Sequence, residues 1–125
     1  MELLTIVRDV RDDAVVVRAK GEVDSSTVES LVTALDAAVV DAQAHPARVL
    51  VVQLDEITYF GSAGLNALLG CTDRGGTHGV AMRLVANNAE VTRPITVTRL
   101  DKVLRPYRTV SEAIRSAVAS TESSR

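Results

Sequence analysis

Apolar residues along the chain follow two different periods, one typical of strands and the other of helices. Residues 3–10 (LLTIVRDV) and 14–20 (AVVVRAK) are short runs rich in β-branched residues, separated only by the polar triplet RDD. This arrangement predicts an antiparallel hairpin. Residues 48–54 (RVLVVQL) are almost continuously apolar, as expected of a central strand that is covered on both faces. Residues 80–86 (VAMRLVA) form a further predicted strand.

The segment after the hairpin has the spacing of an amphipathic helix. Its apolar side chains fall on one helical face, at Val28, Leu31, Val32, Leu35, Val39 and Ala42. Ser26 followed by Glu29 predicts a capping box, in which each side chain accepts a hydrogen bond from a free backbone N–H at the helix start. Pro46 marks the end of this helix.

Three further helices are predicted. The second begins within YFGSAGLNALLG, residues 59–70, takes its buried stripe from the leucines at 65, 68 and 69, and ends in RGGTHG. The third is capped by Asn87 or Asn88, and Pro94 is expected to interrupt or reset it. Thr109 with Glu112 predicts a second capping box before the last helix.

The order β-β-α-β-α-β-α-(β)-α predicts an α/β fold. Its mixed β-sheet combines the N-terminal antiparallel hairpin with parallel strands, and about four helices pack against it. With 125 residues and 46% hydrophobic residues, the chain has enough apolar material for a single domain. We place that domain at residues 1–118 and a frayed polar tail at residues 119–125.

Charge and composition exclude several classes of function. The net charge of −2 lacks the basic excess of nucleic-acid binders, and three aromatic residues, Tyr59, Phe60 and Tyr107, are too few for base stacking. No apolar run could cross a membrane and no signal-peptide pattern is present, so we expect a cytoplasmic protein without membrane insertion. No cluster of residues has metal-ligand spacing, and we predict no metal and no cofactor. The single cysteine, Cys71, is expected to be a small buried hydrophobe, with a redox-sensor role as the alternative.

Ser62, in the segment GSAG at the start of the second helix, has several candidate roles. A nucleophile elbow needs a glycine two positions earlier, where this chain has Phe60, and both histidines, His45 and His78, are in predicted loops. GSAG also lacks the lysine and the spacing of phosphate-binding loops. Because serine is among the best N-cap residues, a purely structural cap remains open beside a functional role.

The order and spacing of three motifs resemble the STAS domain of bacterial anti-sigma factor antagonists. The motifs are GEVD at residues 21–24, VLVVQLD at 49–55 and GSAGL at 61–65. In that family an apolar strand ends in DL, and a few residues later D-S-[ST]-G-L leads into a leucine-rich helix. The resemblance extends from the first hairpin to the final helix.

This resemblance implies a regulatory binding protein and no enzyme. Members of the family bind an anti-sigma factor, usually a serine kinase, and so release a sigma factor. The kinase phosphorylates the serine at the helix start, which breaks the complex, and a PP2C-type phosphatase restores the free form. The matching phosphorylation site is Ser62. The implied partner-binding residues are Asp24, Tyr59, Phe60, Gly61, Ser62, Ala63, Gly64 and Leu65.

Two positions depart from the family pattern. Gly61 stands where the family has an acidic residue, and Ala63 stands where it has a second hydroxyl, so Ser62 is the only phosphate acceptor in the turn. An alternative function is therefore a STAS adaptor subunit of a larger assembly, such as a lipid-transport complex, which needs no phosphorylation. A small serine enzyme is a third alternative.

Overall fold

The computed structural model describes residues 3–123, with side chains up to residue 119, and within that range the elements follow the predicted order. The strands are β1 (Leu4–Val10), β2 (Val15–Val23), β3 (Val49–Phe60), β4 (Ala81–Val85) and β5 (Pro106–Tyr107). The helices are α1 (Val28–Ala44), α2 (Ser62–Thr77), α3 (Ala89–Val97) and α4 (Val110–Ser123).

The strands form one mixed sheet in the order β1-β2-β3-β4-β5. β1 pairs antiparallel with β2, and every other neighbouring pair is parallel. The predicted α/β fold with an N-terminal antiparallel hairpin is confirmed. Each parallel connection contains one helix, as crossover connections require. The loops that follow β2, β3 and β4 therefore lie along a single edge, the carboxyl edge of the sheet.

Two hydrophobic cores lie on opposite faces of this sheet. Successive strand residues point to alternate faces. Val15, Val17 and Leu50 belong to the larger core under α1, α2 and α3, whereas Val16 and Val51 belong to the smaller core under α4. The nearly continuous apolar run of β3 is explained by this double coverage.

β3 is longer than predicted. The strand predicted for residues 48–54 continues through residues 55–60 and ends at Phe60. It does so because β2 also continues, pairing Glu22 with Tyr59 and Val23 with Phe60. The pairing register shifts before and after Gly21, and at each of these two irregularities β3 contains one residue more than β2. The extension carries the strand directly to the residue before Gly61.

Pro94 does not interrupt α3, contrary to the prediction. The helix runs from Ala89 to Val97 with Pro94 inside it. A proline removes one intrahelical hydrogen bond, and the carbonyl that loses its partner is that of Glu90. Because Glu90 is exposed, water can take the place of the missing N–H.

The predicted capping box is absent at α1, whereas at α4 it is present with one changed donor. At α1 the N-cap is Thr27, and no Ser26–Glu29 capping box is present among the described residues. At α4 the N–H of Glu112 donates to the Thr109 hydroxyl at 3.1 Å, as predicted. The Glu112 carboxylate accepts in return from the N–H of Arg108 at 3.3 Å, one residue before the expected donor.

The predicted boundary between residues 118 and 119 falls inside α4, whose backbone stays helical to Ser123. Residues 124–125 of the predicted tail lie outside the described residues. In the part of the chain that the structure describes, none of the helices has the length and apolar character needed to cross a membrane.

Candidate functional site

The candidate site lies at the carboxyl edge of the sheet, where β2 and β3 end side by side. Val23, the last residue of β2, pairs with Phe60, the last residue of β3. The N–H of Gly61 then donates to the Val23 carbonyl at 3.1 Å. The turn after β2 and the start of α2 are therefore held together, and the structure places Asp24 next to residues 59–65.

Asp24 organises the turn between β2 and α1. Its Oδ1 accepts hydrogen bonds from the N–H of Ser26 at 2.8 Å, the Ser26 hydroxyl at 2.7 Å and the N–H of Thr27 at 3.1 Å. These bonds, the one from the Ser26 side chain first, lower the pKa of Asp24 below its ordinary value of 3.8. The carboxylate is therefore ionised at neutral pH. Ser26, predicted to cap α1, instead donates to Asp24.

Ser62 is the first residue of α2 and not its cap. The N-cap position belongs to Gly61, whose φ of −90° and ψ of −176° are ordinary extended values, and no side chain caps the helix there. The interpretation of Ser62 as a structural cap is therefore wrong. The Ser62 side chain is exposed to solvent.

The Ser62 hydroxyl differs from three other hydroxyls near this edge. Ser26 donates to a carboxylate at 2.7 Å, and Thr27 and Thr58 donate to backbone carbonyls at 2.8 and 3.2 Å. Ser62 has no hydrogen-bond partner among the described side chains and backbone. The N–H groups of Ser62 and Ala63 point out of the first turn of α2, where helices favour negative charge. The hydroxyl is thus accessible at a position that tolerates an anion.

The two aromatic residues before Ser62 point in opposite directions, as neighbours on a strand do. Phe60 is 5% exposed and belongs to the core, while Tyr59 is 52% exposed. Of this pair, Phe60 is therefore a core residue, and Tyr59 is the one whose ring is available to a partner. Tyr59 also lines a shallow groove between β3 and α3, together with Arg93 and Val97.

Gly64 permits the close approach of α2 to the ends of β2 and β3. A Cβ atom at this position would lie 2.6 Å from Cε1 of Phe60 and 2.8 Å from Cγ1 of Val23. Both distances are far below normal carbon–carbon contact. Leu65, which follows Gly64, is 7% exposed and also belongs to the core. Phe60, Gly64 and Leu65, the buried residues of the predicted partner-binding set, therefore hold the exposed residues of that set in position.

Asn88 is a residue of this region whose role the sequence did not indicate. It occupies the N-cap position of α3, but its side chain does not cap that helix. Its Nδ2 instead donates to the carbonyls of Leu54 and Ile57, at 3.1 and 2.7 Å. Asn88 therefore ties α3 to the irregular part of β3 that leads to Tyr59. Local patterns predict caps well, but no local pattern reveals a bond across 31 or 34 residues of sequence.

The geometry does not supply Ser62 with a catalytic base. His78 follows the far end of α2, which has 16 residues and hence a length of about 24 Å. His45 follows α1 and is hydrogen-bonded to the Arg11 carbonyl at 2.7 Å, in the turn of the hairpin. Within residues 3–123, no group of three potential ligands could hold a metal ion.

Cys71 is buried on the inner side of α2. Burial raises the pKa of its thiol to about 11, and the positive charge of Arg74 only partly opposes this effect. The reactive form of cysteine is the thiolate. The structure therefore supports a packing role for Cys71 and opposes the redox-sensor alternative.

The resemblance expected from the motifs is confirmed by comparison with known proteins. The family model of the STAS domain matches residues 5–113. The chain is 32% identical over 94 residues to the anti-sigma-F factor antagonist RsfB of Mycobacterium tuberculosis, which covers 75% of this chain and 73% of that protein.

Solved structures of anti-sigma factor antagonists are also similar to this chain. The crystal structure of an anti-sigma factor antagonist from Mycobacterium paratuberculosis superposes with a TM-score of 0.81 at 30% identity, covering 91% of this chain and 93% of that one. The anti-sigma factor antagonist SpoIIAA is similar in fold alone, at 18% identity. Its unphosphorylated form gives a TM-score of 0.71 with 92% and 97% coverage, and its phosphorylated form gives 0.64 with 90% and 98%. These relatives are regulatory antagonists and not enzymes.

Proposed function

The chain belongs to the STAS domain family, among its anti-sigma factor antagonists, and we propose that it binds an anti-sigma factor and is released by phosphorylation of Ser62. The anti-sigma factor would be a serine kinase, and binding it would free a sigma factor. A PP2C-type phosphatase would restore the active form. The kinase and the phosphatase would act on this protein in the cytoplasm.

One observation carries this proposal, the exposed Ser62 hydroxyl without a hydrogen-bond partner at the start of α2. It lies beside the ionised Asp24 turn and the exposed ring of Tyr59. We assign direct partner contacts to the exposed and half-buried residues of the edge, which are Asp24, Tyr59, Gly61, Ser62 and Ala63. Phe60, Gly64 and Leu65 are buried, and we assign them the role of holding this surface in place.

The physical effect of phosphorylation supports a switch that leaves the fold intact. A phosphoserine carries about −1.5 to −2 charges at neutral pH. At the first residue of a helix, each charge is favourable by about 0.3–1 kcal/mol at an exposed site. Burying the same dianion against a partner without a matching cation costs several kcal/mol. Since each 1.4 kcal/mol is a factor of ten, affinity would fall by at least 100-fold.

The test compares Ser62→Asp and Ser62→Glu with wild type in binding to a sigma-regulatory kinase, measured by calorimetry. We expect both variants to lose at least tenfold in affinity, while Ser62→Ala keeps it. Ser111→Asp is the matched control, because Ser111 is an exposed serine in the first turn of α4, on the other face of the sheet. Equal affinity of Ser62→Asp and wild type would contradict the switch.

Phosphorylation itself is tested with the kinase and ATP, followed by mass mapping. A single phosphate on Ser62 is expected, because Ala63 removes the neighbouring acceptor. Treatment with a PP2C-type phosphatase should return the unmodified mass and restore binding. A phosphate at another residue, with Ser62 unmodified, would contradict the proposal.

Gly61 favours a second candidate function, that of a STAS adaptor subunit without a phosphorylation cycle. A glycine in place of the acidic residue removes a group that could orient the serine hydroxyl or guide a kinase. The adaptor function predicts no phosphate on Ser62 and co-purification with subunits of a larger assembly, such as a lipid-transport complex. Those two results together would contradict the phosphorylation switch and support the adaptor function.

A further inference from the structure

Charge is distributed unevenly along the chain. Residues 1–80 contain six basic and twelve acidic residues, while residues 81–125 contain eight basic and four acidic ones. The small net charge of −2 therefore conceals a basic portion at the C-terminal end of the sequence. A basic region of this kind raises the local concentration of anions near its surface.

Within this portion, three cations converge on one cavity beside the exposed edge of β4. The cavity has a volume of about 150 Å³ and is lined by Arg83, Lys102 and Arg105, together with Tyr107. No acidic residue lines it. At about 30 Å³ per water molecule, its volume equals roughly five waters, which is also the number of heavy atoms in a phosphate group.

The cavity exists because β5 is short. β5 pairs with only Leu84 and Val85 of β4, so the preceding part of the β4 edge has no neighbouring strand. The segment before β5 brings Lys102 and Arg105 over this edge. Both side chains are exposed, and neither takes part in an ion pair with any of the described acidic side chains.

Arg83 forms the fixed wall of the cavity. Its Nη1 donates to the Met82 carbonyl at 2.9 Å, and its Nε lies 3.4 Å from the Ser116 hydroxyl. Ser116 is in turn hydrogen-bonded to the Tyr107 hydroxyl. This network joins β4, β5 and α4, and it holds a guanidinium group next to the two exposed cations Lys102 and Arg105. The planar guanidinium group suits the geometry of phosphate oxygens.

We propose that this cavity is an anion site that takes one phosphate group, held by Lys102 and Arg105 next to the positively charged wall formed by Arg83. The site is separate from Ser62 and does not depend on the proposed antagonist function. The phosphate group can belong to a soluble organic phosphate or to an anionic lipid headgroup, and the experiment distinguishes these two sources.

The experiment follows backbone amide signals by NMR during titration with inorganic phosphate and then ATP, at constant ionic strength kept with chloride. We expect saturable shifts in residues 82–84 and 102–107. A parallel arm measures sedimentation with vesicles that contain phosphatidylglycerol. Saturation by phosphate or ATP assigns the site to a soluble phosphate, and vesicle binding without it assigns the site to a lipid headgroup.

The double variant Lys102→Gln with Arg105→Gln tests whether the cavity is responsible. We expect at least a tenfold loss of affinity, because two charge-assisted hydrogen-bond donors are removed. The control is Arg99→Gln with Arg115→Gln, which removes the same charge from exposed residues that do not line the cavity. An equal loss in both double variants, or no saturable binding in any arm, would overturn the proposal. Thermal unfolding of each variant checks that the fold is retained.

Discussion

Replacing Gly64 by alanine tests how closely α2 must approach the strand ends that carry the site. In an open helical position, this change stabilises a protein by about 1 kcal/mol, since glycine is a poor helix former. At residue 64 the added Cβ would lie 2.6 and 2.8 Å from two buried side chains, Phe60 and Val23. Carbon atoms in contact are about 3.5–4.0 Å apart, so these groups must move by about 1 Å. Overpacking of this kind costs about 1–3 kcal/mol.

The matched control is Gly76→Ala in the same helix, where the added Cβ would meet nothing within 4 Å outside its chain neighbours and the local helix backbone. The free energy of unfolding of both variants is measured by urea denaturation. We expect Gly76→Ala to equal or exceed wild type and Gly64→Ala to be about 1–3 kcal/mol less stable than the control, which isolates the packing cost. Partner affinity should also fall in Gly64→Ala, because displacement of Phe60 moves the turn that presents Ser62. If both variants were equally stable, the close approach at residue 64 would not constrain the fold.

Three further predictions concern groups that surround the site. Asn88→Ala leaves the carbonyls of Leu54 and Ile57 without their side-chain donor, and we expect a loss of about 1–3 kcal/mol in the free energy of unfolding, measured in urea. Cys71, whose pKa is raised to about 11, should resist a thiol reagent at pH 8 in the folded state and react promptly in urea, and rapid labelling of the folded protein would contradict this. Because the pKa of Asp24 is lowered by folding, its contribution to stability is present above its unfolded value of about 3.8 and is lost as the pH falls through the lower folded value. Denaturation between pH 2 and 6 should show a smaller loss in Asp24→Asn than in wild type.

The order of elements was predictable because it depends on the hydrophobic pattern. Apolar periodicity reports which face of an element is buried, and the two cores preserve that pattern along every strand. Even the short β5, whose existence the alternation only suggested, occupies its place next to β4. Except for Pro94, which lies inside α3, the errors concern the ends of elements, where the pattern carries less information.

At β3 and α2, the cause of the error is a contact between residues distant in sequence. The end of β3 depends on pairing with β2, and this pairing brings the strand to Phe60. The cap of α2 therefore moves from Ser62 to Gly61. At α1 the competitor is local, because Asp24, two residues before Ser26, accepts hydrogen bonds from the N–H groups of Ser26 and Thr27. A capping-box motif does not show which of two neighbouring polar side chains accepts these hydrogen bonds.

Gly61, which stands in place of the family's acidic residue, changes the charge difference between the unphosphorylated and phosphorylated states of the proposed switch. The ring of Tyr59 covers Gly61, so that a Cβ there would lie 3.3 Å from the Tyr59 hydroxyl. An aromatic side chain thus occupies space next to the position of the missing carboxylate, and residues 59–65 contain no charged side chain. With an acidic neighbour, the segment would be negative in both states. Here phosphorylation of Ser62 would change its charge from zero to about −2, and the partner would discriminate by the phosphate alone.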